Sequence, residues 1–311
     1  VAAVEADLTG LHAVAVAALL DRSGVAAAAI DVVGFHGQTI LHDPAQGMTR
    51  QIGDGAALAR MTGCRVVNDF RSADMRAGGE GAPFVPVFHA ALADGIALPV
   101  CVLNIGGVAN VTWIGGTTGT ESGLNGDGVF GRLLAFDTGP GGALLDDWVA
   151  RHTGAAFDAD GALARSGIID AAALALLLDH PYFARAVPKS LDRNDFDPSP
   201  VDRLTPADGA ATLLAFTVEA IARARDHLPV APARWLVTGG GRRNGTLMAA
   251  LAQRLCVAVE PVEAVGWDGD MLEAQAFAYL AVRRLRGLPA SGPTTTGAAH
   301  AVVGGVICDA A

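Results

Sequence analysis

Residues 100–114 read VCVLNIGGVANVTWI, two apolar stretches that predict a pair of strands bent around Gly106 and Gly107. Two later segments follow a related order of strand, glycine turn and helix: LLAFDTGPGGALLDDWVARHTG at 133–154 and RWLVTGGGRRNGTLMAALAQRL at 234–255. Strands that alternate with helices predict an α/β fold with mostly parallel sheets, in which ligands bind at the carboxyl ends of the strands.

The three glycine turns have the composition of a nucleotide-binding site. Glycine lets the backbone approach a phosphate or an adenosine at points where a β-carbon would clash. Each turn alone is also compatible with an ordinary tight turn, but three in order within one region are much more specific. We therefore predict these nucleotide-binding residues: Gly106, Gly107, Gly139, Gly141, Gly239, Gly240 and Gly241.

Asp137 is the sharpest catalytic candidate. It stands at the end of the strand LLAF, directly before a glycine turn that opens a helix. A carboxylate held there can accept a proton beside a bound phosphate. The alternative is an aspartate that merely caps the helix predicted over 141–152. Asp146 and Asp147, inside that helix, are interpreted as surface or ion-pair residues.

Polar side chains in the first half of the chain form a second candidate cluster. GFHGQTILHDP at 34–44 and NDFRSAD at 68–74 supply His36, Gln38, Asp69 and Arg71, which can bind hydroxyl, acetamido or carboxylate groups. Glu273 on the last long helix is a further candidate, with a solvent-facing glutamate as the alternative. His36, His42 and Asp43 are residue types that can bind a metal ion. No further ligand stands at a spacing typical of a metal site, so no metal site is predicted.

Composition excludes several classes of protein. Lys plus Arg is 22 against 32 for Asp plus Glu, and the net charge of −10 argues against nucleic acid or an anionic membrane as a partner. Lys189 is the single lysine, and its context PKSLDRNDF fits neither a P-loop nor a protein kinase. Four widely spaced cysteines predict reduced thiols. We expect a cytoplasmic protein with no membrane span and no secretory signal.

Apolar periodicity and turn residues predict the secondary structure around these motifs. A helix is predicted over 3–22, a hinge over 93–99, and helices over most of 159–228. The last long helix, DMLEAQAFAYLAVRRLRGLP, is expected to end at Gly287 and Pro289.

Together, several segments resemble the anhydro-N-acetylmuramic acid kinase family. The resemblance runs from about residue 30 to the end, and its combination of motifs is far more specific than any one glycine turn. The segments that carry it are GFHGQTILHDP, QIGDGAALARMTG, VVNDFRSADMRAGGEGAPFVPVFH, VLNIGGVANVT, FDTGPGGALLDDW, PYFARAVPKSLDRNDF, VTGGGRRNGTLM and WDGDMLEAQAFAYLA.

This resemblance implies a two-lobed actin-like (ribonuclease H-like) ATPase fold with a cleft. The expected domains are residues 1–96, the sugar-binding lobe; 97–268, the nucleotide-binding lobe with the catalytic aspartate; and 269–311, a crossing helix and tail that pack toward the first lobe. The resemblance also implies a cytoplasmic enzyme of cell-wall recycling that uses ATP, with Mg²⁺, and water to convert 1,6-anhydro-N-acetylmuramic acid into N-acetylmuramic acid 6-phosphate. Asp137 would be the general base, the glycine turns would hold the nucleotide, and His36, Gln38, Asp69, Arg71 and Glu273 would line the sugar pocket.

Two departures from the family pattern bear on activity. Gly142 stands where the family's turn usually has an asparagine, and no Met-Ser-Gly-Thr-Ser-x-Asp-Gly segment precedes the first helix. We therefore expect an N-terminally truncated first lobe and poor or no kinase activity. Two alternatives stay open: a catalytically impaired sugar- or nucleotide-binding protein, and another actin-like phosphotransferase. The expected partners are the sugar and ATP, without nucleic acid or membrane, and a homodimer stays open.

Overall fold

A computed structural model describes residues 1–116 and 126–310 of the chain. The chain divides into two compact units. Unit 1 comprises Val1–Leu92, Met271–Ala311 and the described part of Glu121–Gly131, and unit 2 comprises Arg132–Asp270 with the described part of Ala93–Thr120. The units change at 92/93 and 270/271, whereas the sequence-based boundaries are 96/97 and 268/269.

The described residues of unit 2 form a five-stranded mixed sheet and five helices. In chain order its elements are β5 (Val100–Ile105), β6 (Val108–Ile114), β7 (Leu133–Pro140), α5 (Ala143–Thr153), α6 (Ala162–Ser166), α7 (Ala171–Leu178), α8 (Pro206–Arg223), β8 (Arg234–Thr238), α9 (Gly245–Leu255) and β9 (Ala258–Pro261). The strand order is β7-β6-β5-β8-β9. β6 runs antiparallel to both β5 and β7, while β5, β8 and β9 are parallel. A sheet of order 3-2-1-4-5 with an antiparallel second strand is the ribonuclease H-like arrangement that the resemblance implies.

The core of unit 2 lies between this sheet and helices α5 and α8. Trp148 on α5 is 1% exposed, and its Nε1 donates to the Pro206 carbonyl oxygen at the start of α8, at 2.8 Å. The helix α8 begins with a Thr205 cap, whose Oγ1 accepts from the Asp208 amide, and with proline at its first position. Burial of these large apolar side chains is the main stabilising term for such a layer.

In unit 1 the part of the chain that the structure describes forms a three-stranded sheet, a hairpin and five helices. Its elements are α1 (Ala2–Ser23), β1 (Val33–Gly34), β2 (Gln38–Asp43), β3 (Met48–Ile52), α2 (Gly55–Thr62), β4 (Val66–Asn68), α3 (Arg71–Arg76), α4 (Pro86–Leu92), α10 (Leu272–Leu285) and β10 (Val306–Cys308). In the sheet β1-β4-β10, β4 is parallel to β1 and antiparallel to β10. β2 and β3 form an antiparallel hairpin, and Phe35, Leu58 and Val66 belong to the buried core of this unit.

Helix α1 bears on one sequence-based expectation. By length and composition alone α1 is apolar enough to cross a membrane, whereas the sequence analysis expects no membrane span. Alanine, valine and leucine give this helix a high mean hydropathy, although charged residues interrupt its apolar runs. The same test is passed by mostly buried core helices of soluble proteins and by signal sequences near the N-terminus, and 11% of this window is buried. In unit 1, Glu5 and Thr9 of α1 accept hydrogen bonds from the amides of Gly53 and Asp54, at 2.9 and 3.1 Å.

Candidate active site

A cavity of about 440 Å³ in unit 2 brings the three glycine turns together. Gly106 and Gly107 come from the turn between β5 and β6, Gly141 follows the end of β7, and Gly240 and Gly241 follow β8. Gly139 and Gly239 do not line this cavity. The glycine-rich segments are therefore adjacent in the fold, as a site shared by several strand ends requires.

Close backbone contact explains two of these glycines. The amides of Gly141 and Gly142 donate to the carbonyl oxygens of Gly107 and Gly106, at 2.9 and 2.7 Å. A β-carbon on Gly141 would lie only 2.2 Å from the Gly106 carbonyl oxygen. Gly239 has φ +74°, and its β-carbon would lie 2.4 Å from Oδ1 of Asn104. Only glycine fits at both positions without a shift of the backbone.

Asp137 lies on β7, four residues before Gly141, and is half-buried. Its Oδ2 accepts a hydrogen bond from the Leu191 amide at 2.8 Å, and its own amide donates to the Lys189 carbonyl oxygen at 2.9 Å. The register between β6 and β7 shifts at this point, because Asn110 pairs with Asp137 while Ala109 pairs with Gly139. Such bulges redirect side chains near functional sites. Asp137 is therefore held by the segment after Pro188 and does not cap α5.

Sequence reasoning missed several residues of the cavity. Asp146, Phe157, Asp158, Asp160, Arg243 and Asn244 also line it. The sequence predicts Asp146 to be a surface or ion-pair residue, which is wrong. Its amide donates to the Gly142 carbonyl oxygen at 2.8 Å, which places it in the first turn of α5 beside the glycines. Asp147 does form an exposed ion pair with Arg193. The signal for Asp146 was its helical spacing of four residues from Gly142.

Carboxylates give the cavity an acidic side. Burial raises the pKa of Asp146 above its usual value, and the nearby carboxylates of Asp147 and Asp158 add to this, while Arg193 lowers it. Both oxygens of Asp158 accept from backbone amides, those of Leu163 and Ala164, at 2.8 and 2.9 Å. The ionised Asp146 is thus disfavoured in the fold until a cation approaches it.

We expect Asp146→Asn to stabilise the ligand-free protein at neutral pH. A carboxyl whose pKa is raised on folding leaves the native state unaffected below its unfolded pKa, and it destabilises the fold increasingly as the pH rises through the folded pKa. The gain in melting temperature should therefore be present at about pH 7 and absent at about pH 3.5, near the usual pKa of an aspartate. Differential scanning calorimetry at the two pH values measures it. Asp147→Asn is the matched control, and an equal gain in that variant would contradict the assignment.

Two arginines follow the third glycine turn. Arg242, whose side chain is 7% exposed, forms ion pairs with Glu263 and Asp270, and its NH1 donates to the Gly239 carbonyl oxygen at 2.9 Å. Arg243 lines the cavity and shares Asp270 at 2.5 Å. These charged hydrogen bonds tie the turn at 239–241 to the segment that ends unit 2.

A second cavity, of about 240 Å³, lies in unit 1. Two of the predicted sugar-binding residues, His36 and Asp69, line it together with Thr49, Arg50, Gln51, Gly53, Asn68 and Ser72. Arg71 reaches His36 from α3, because its Nε donates to His36 Nε2 at 3.0 Å. Gln38 is exposed and donates to the Thr39 carbonyl oxygen, and Glu273 is exposed in the first turn of α10. The structure thus brings three of the five residues together within unit 1.

His36 is a neutral imidazole of fixed orientation. Arginine can only donate, so His36 Nε2 accepts, and Nδ1 carries the proton and donates to the Gly37 carbonyl oxygen at 2.8 Å. Burial, followed by the charge of Arg71, lowers the pKa of His36 to about 4. Asp69, at φ +49°, accepts from the Ser72 amide and hydroxyl. His42 contacts Thr49 Oγ1 at 3.2 Å, and no group of three metal-ligating side chains occurs within residues 1–116 and 126–310.

Comparison with known proteins identifies the family. The family model for anhydro-N-acetylmuramic acid kinase matches residues 1–310. An anhydro-N-acetylmuramic acid kinase of Rhodospirillum rubrum is 60% identical over 100% of this chain and 79% of its own length. One of Rhizorhabdus wittichii is 53% identical over 98% of this chain and 80% of its length.

Similarity to solved structures is lower. The crystal structure of xylulose kinase from Rhodospirillum rubrum has 18% identity and a TM-score of 0.41, and the match covers 76% of this chain and 48% of that one. The sequence matches, by contrast, extend over both units and include all three glycine turns and Asp137. The chain therefore belongs to the anhydro-N-acetylmuramic acid kinase family.

Proposed function

We propose that this chain is an ATP-dependent kinase that opens 1,6-anhydro-N-acetylmuramic acid and phosphorylates its 6-oxygen. The expectation of poor or no activity from the sequence concerns the rate of this reaction and stays a prediction. The product is N-acetylmuramic acid 6-phosphate, an amino sugar recovered in peptidoglycan recycling. One observation carries the proposal: the glycine turns after β5, β7 and β8 line one cavity, in a chain that belongs to this family. Such turns present backbone N–H groups to phosphates without relying on the net charge of the protein.

Asp137 is the proposed general base. It takes a proton from a water molecule, whose oxygen attacks the anomeric carbon of the sugar. The bond between that carbon and the 6-oxygen breaks, and the freed 6-oxygen accepts the γ-phosphoryl group while ADP leaves. The phosphoryl group captures the leaving oxygen, so a separate acid to protonate it is not required. The hydrogen bond from the Leu191 amide to Oδ2 holds the carboxylate in a fixed direction, as a positioned base requires.

The cavity residues fit ATP and Mg²⁺. Magnesium is commonly held by one or two carboxylates together with substrate phosphates, rather than by a cage of protein ligands. Asp146 lines the cavity, and its pKa is raised first by burial and then by the nearby carboxylates of Asp147 and Asp158. We propose Asp146 as the protein group nearest the ion, which would neutralise charge on the phosphates when bound.

The cluster in unit 1 supplies the proposed sugar contacts. Neutral His36 and the Arg71 guanidinium can bind hydroxyl and carboxylate oxygens, and Asp69 can accept from hydroxyl groups. Gln38 and Glu273 are retained as proposed contacts. The four cysteines are free thiols, which supports a cytoplasmic location. Association into a homodimer stays open.

Arg71→Lys should weaken binding of substrates that carry the lactyl carboxylate. The fork of Arg71 bonds both His36 and the Gly81 carbonyl oxygen, whereas lysine offers a point charge that cannot reproduce this geometry. We expect KM for anhydro-N-acetylmuramic acid to rise about 10-fold or more, which corresponds to a loss of about 1.4 kcal/mol in binding free energy. KM for ATP should stay unchanged. Steady-state kinetics with 1,6-anhydro-N-acetylglucosamine, which lacks the carboxylate, is the control. An equal loss for both sugars would contradict the proposed contact.

Isotope labelling tests the proposed reaction. The protein is incubated with ATP, Mg²⁺ and the anhydro sugar in ¹⁸O-labelled water, and the product is analysed by mass spectrometry before the anomeric oxygen exchanges. The proposal expects one ¹⁸O in the sugar phosphate, located at the anomeric carbon, with ADP formed in equal amount. Phosphorylation of plain hexoses at a comparable rate, or a product without the label, would contradict it.

A further inference from the structure

The segment from Pro181 to Leu191 forms a closed ring of hydrogen bonds around Asp137. The Tyr182 hydroxyl donates to the Asp137 carbonyl oxygen at 2.6 Å, and the Asp137 amide donates to the Lys189 carbonyl oxygen at 2.9 Å. Lys189 Nζ closes the ring by donating to the Tyr182 carbonyl oxygen at 3.1 Å. The Leu191 amide then holds the Asp137 carboxylate itself.

Lys189 is an unusual residue for a purely structural position. It is the single lysine of the chain and is only 4% exposed. Its Nζ lies 4.5 Å from the centre of the Tyr182 ring and also contacts the Phe183 carbonyl oxygen at 3.4 Å. A buried ammonium is costly unless it is compensated by hydrogen bonds and aromatic contact, and these groups supply both.

We infer that Lys189 and Tyr182 are positioning residues that fix the direction of the Asp137 carboxylate. The inference rests on the proposed role of Asp137 as general base. Lys189 binds the Tyr182 and Phe183 carbonyl groups of the turn at Pro181–Ala184, and this turn carries the tyrosine that bonds the backbone of Asp137. Loss of the ammonium frees the turn and the strand-like segment that follows Pro188, so the amide of Leu191 no longer fixes Oδ2. The glycine turns at 106–107 and 240–241 make none of these bonds, and nucleotide binding is left intact.

The charged groups around Lys189 predict that the turnover number depends on pH. Arg185 lies on the same turn, and His227, which follows α8, also interacts with Lys189. Burial, followed by the charge of Arg185, lowers the pKa of Lys189 to about 8. The pKa of His227 is lowered by burial and then by Lys189, against an opposing effect of Asp226. Lys189 is therefore half deprotonated near pH 8, and the turnover number should fall with a midpoint near that pH.

Three variants of the full chain test the inference: Lys189→Met, Lys189→Arg and Tyr182→Phe. We expect Lys189→Met to lower kcat about 10- to 100-fold with KM for ATP within about twofold, since misplaced groups reduce the chemical step and not ground-state binding. Tyr182→Phe should lower kcat about 10-fold. Lys189→Arg should keep most of the activity and lose the alkaline fall near pH 8, because a guanidinium stays charged.

Arg254→Met is the matched control. It removes a cation from an exposed ion pair with Glu219 in the same unit and should leave kcat and its pH profile unchanged. Thermal unfolding reports whether each variant folds, and binding of ATP by calorimetry checks the nucleotide site. The inference is overturned if folded Lys189→Met keeps wild-type kcat, if its loss appears in KM for ATP, or if Lys189→Arg keeps the same alkaline fall. Substantial activity in Asp137→Asn would instead contradict the proposed base, independently of the lysine variants.

Discussion

Asp137→Asn should lower kcat about 10²- to 10⁴-fold, the contribution typical of a positioned general base. The amide is nearly isosteric with the carboxylate, and its oxygen can still accept from the Leu191 amide, so the fold around β7 is retained. It cannot take a proton from water, and the attack on the anomeric carbon therefore loses its base. Steady-state kinetics with the anhydro sugar and ATP measures the loss, and calorimetry should show ATP binding that is close to wild type.

Asp147→Asn is the matched control for this prediction. Asp147 lies in α5 and is exposed in its ion pair with Arg193. Exposed ion pairs contribute about 0–1 kcal/mol to the free energy of unfolding, so stability and kcat should both stay close to wild type. If Asp137→Asn turned over at the wild-type rate while remaining folded, the assignment of Asp137 as base would be wrong.

Much of the fold of unit 2 is readable from sequence because local signals and packing agree there. The strands around Gly106 and Gly107 form the predicted bend, and the strand, glycine turn and helix order at Arg234–Leu255 is confirmed as β8 and α9. In unit 1, the helix predicted over 3–22 is likewise confirmed, as Ala2–Ser23. Apolar periodicity and glycine turns are short-range signals that tertiary contacts reinforce in these segments.

The region over 159–228 is where the prediction is partly wrong. Helices α6, α7 and α8 are present, but residues 179–205 contain only short 3₁₀ turns and irregular backbone. Prolines at 181, 188, 198 and 200 remove amide donors and restrict the residues before them, which prevents a continuous helix. This irregular stretch supplies Tyr182, Lys189 and Leu191 to Asp137, so the misread segment is the one that holds the proposed base.

The candidate site was only partly predictable for a similar reason. Glycine turns can be recognised from their composition. The bulge that redirects Asp137 depends on how β6 pairs with β7, and no local sequence pattern predicts that pairing. Asp146 resembles any helical aspartate until the structure places it beside the glycines. The contact of Arg71 with His36 spans 35 residues of sequence and follows from the packing of unit 1.

Gly141→Ala should destabilise unit 2 and abolish measurable ATP binding. The new β-carbon would lie 2.2 Å from the Gly106 carbonyl oxygen and 2.9 Å from the Val108 carbonyl carbon, which are backbone atoms. They cannot rotate away as a side chain can, because Gly106 is hydrogen-bonded to Gly142. We expect the free energy of unfolding to fall by about 3 kcal/mol, at the upper end of the range for overpacked cores. Scanning calorimetry should show a fall of about 6–12 °C in the melting temperature.

Gly240→Ala separates the effect on the ligand from the effect on the fold. Gly240 lines the same cavity, but a β-carbon there meets no protein atom within 4 Å. Its melting temperature should therefore stay close to wild type, while KM for ATP rises about 10-fold, equivalent to about 1.4 kcal/mol, because the methyl group keeps phosphate from the backbone amides. Gly116→Ala, with similarly open space outside the cavity, is the control for both measurements. If Gly240→Ala bound ATP as tightly as the wild type, the nucleotide would not lie against this turn, and the cavity would have to serve another ligand.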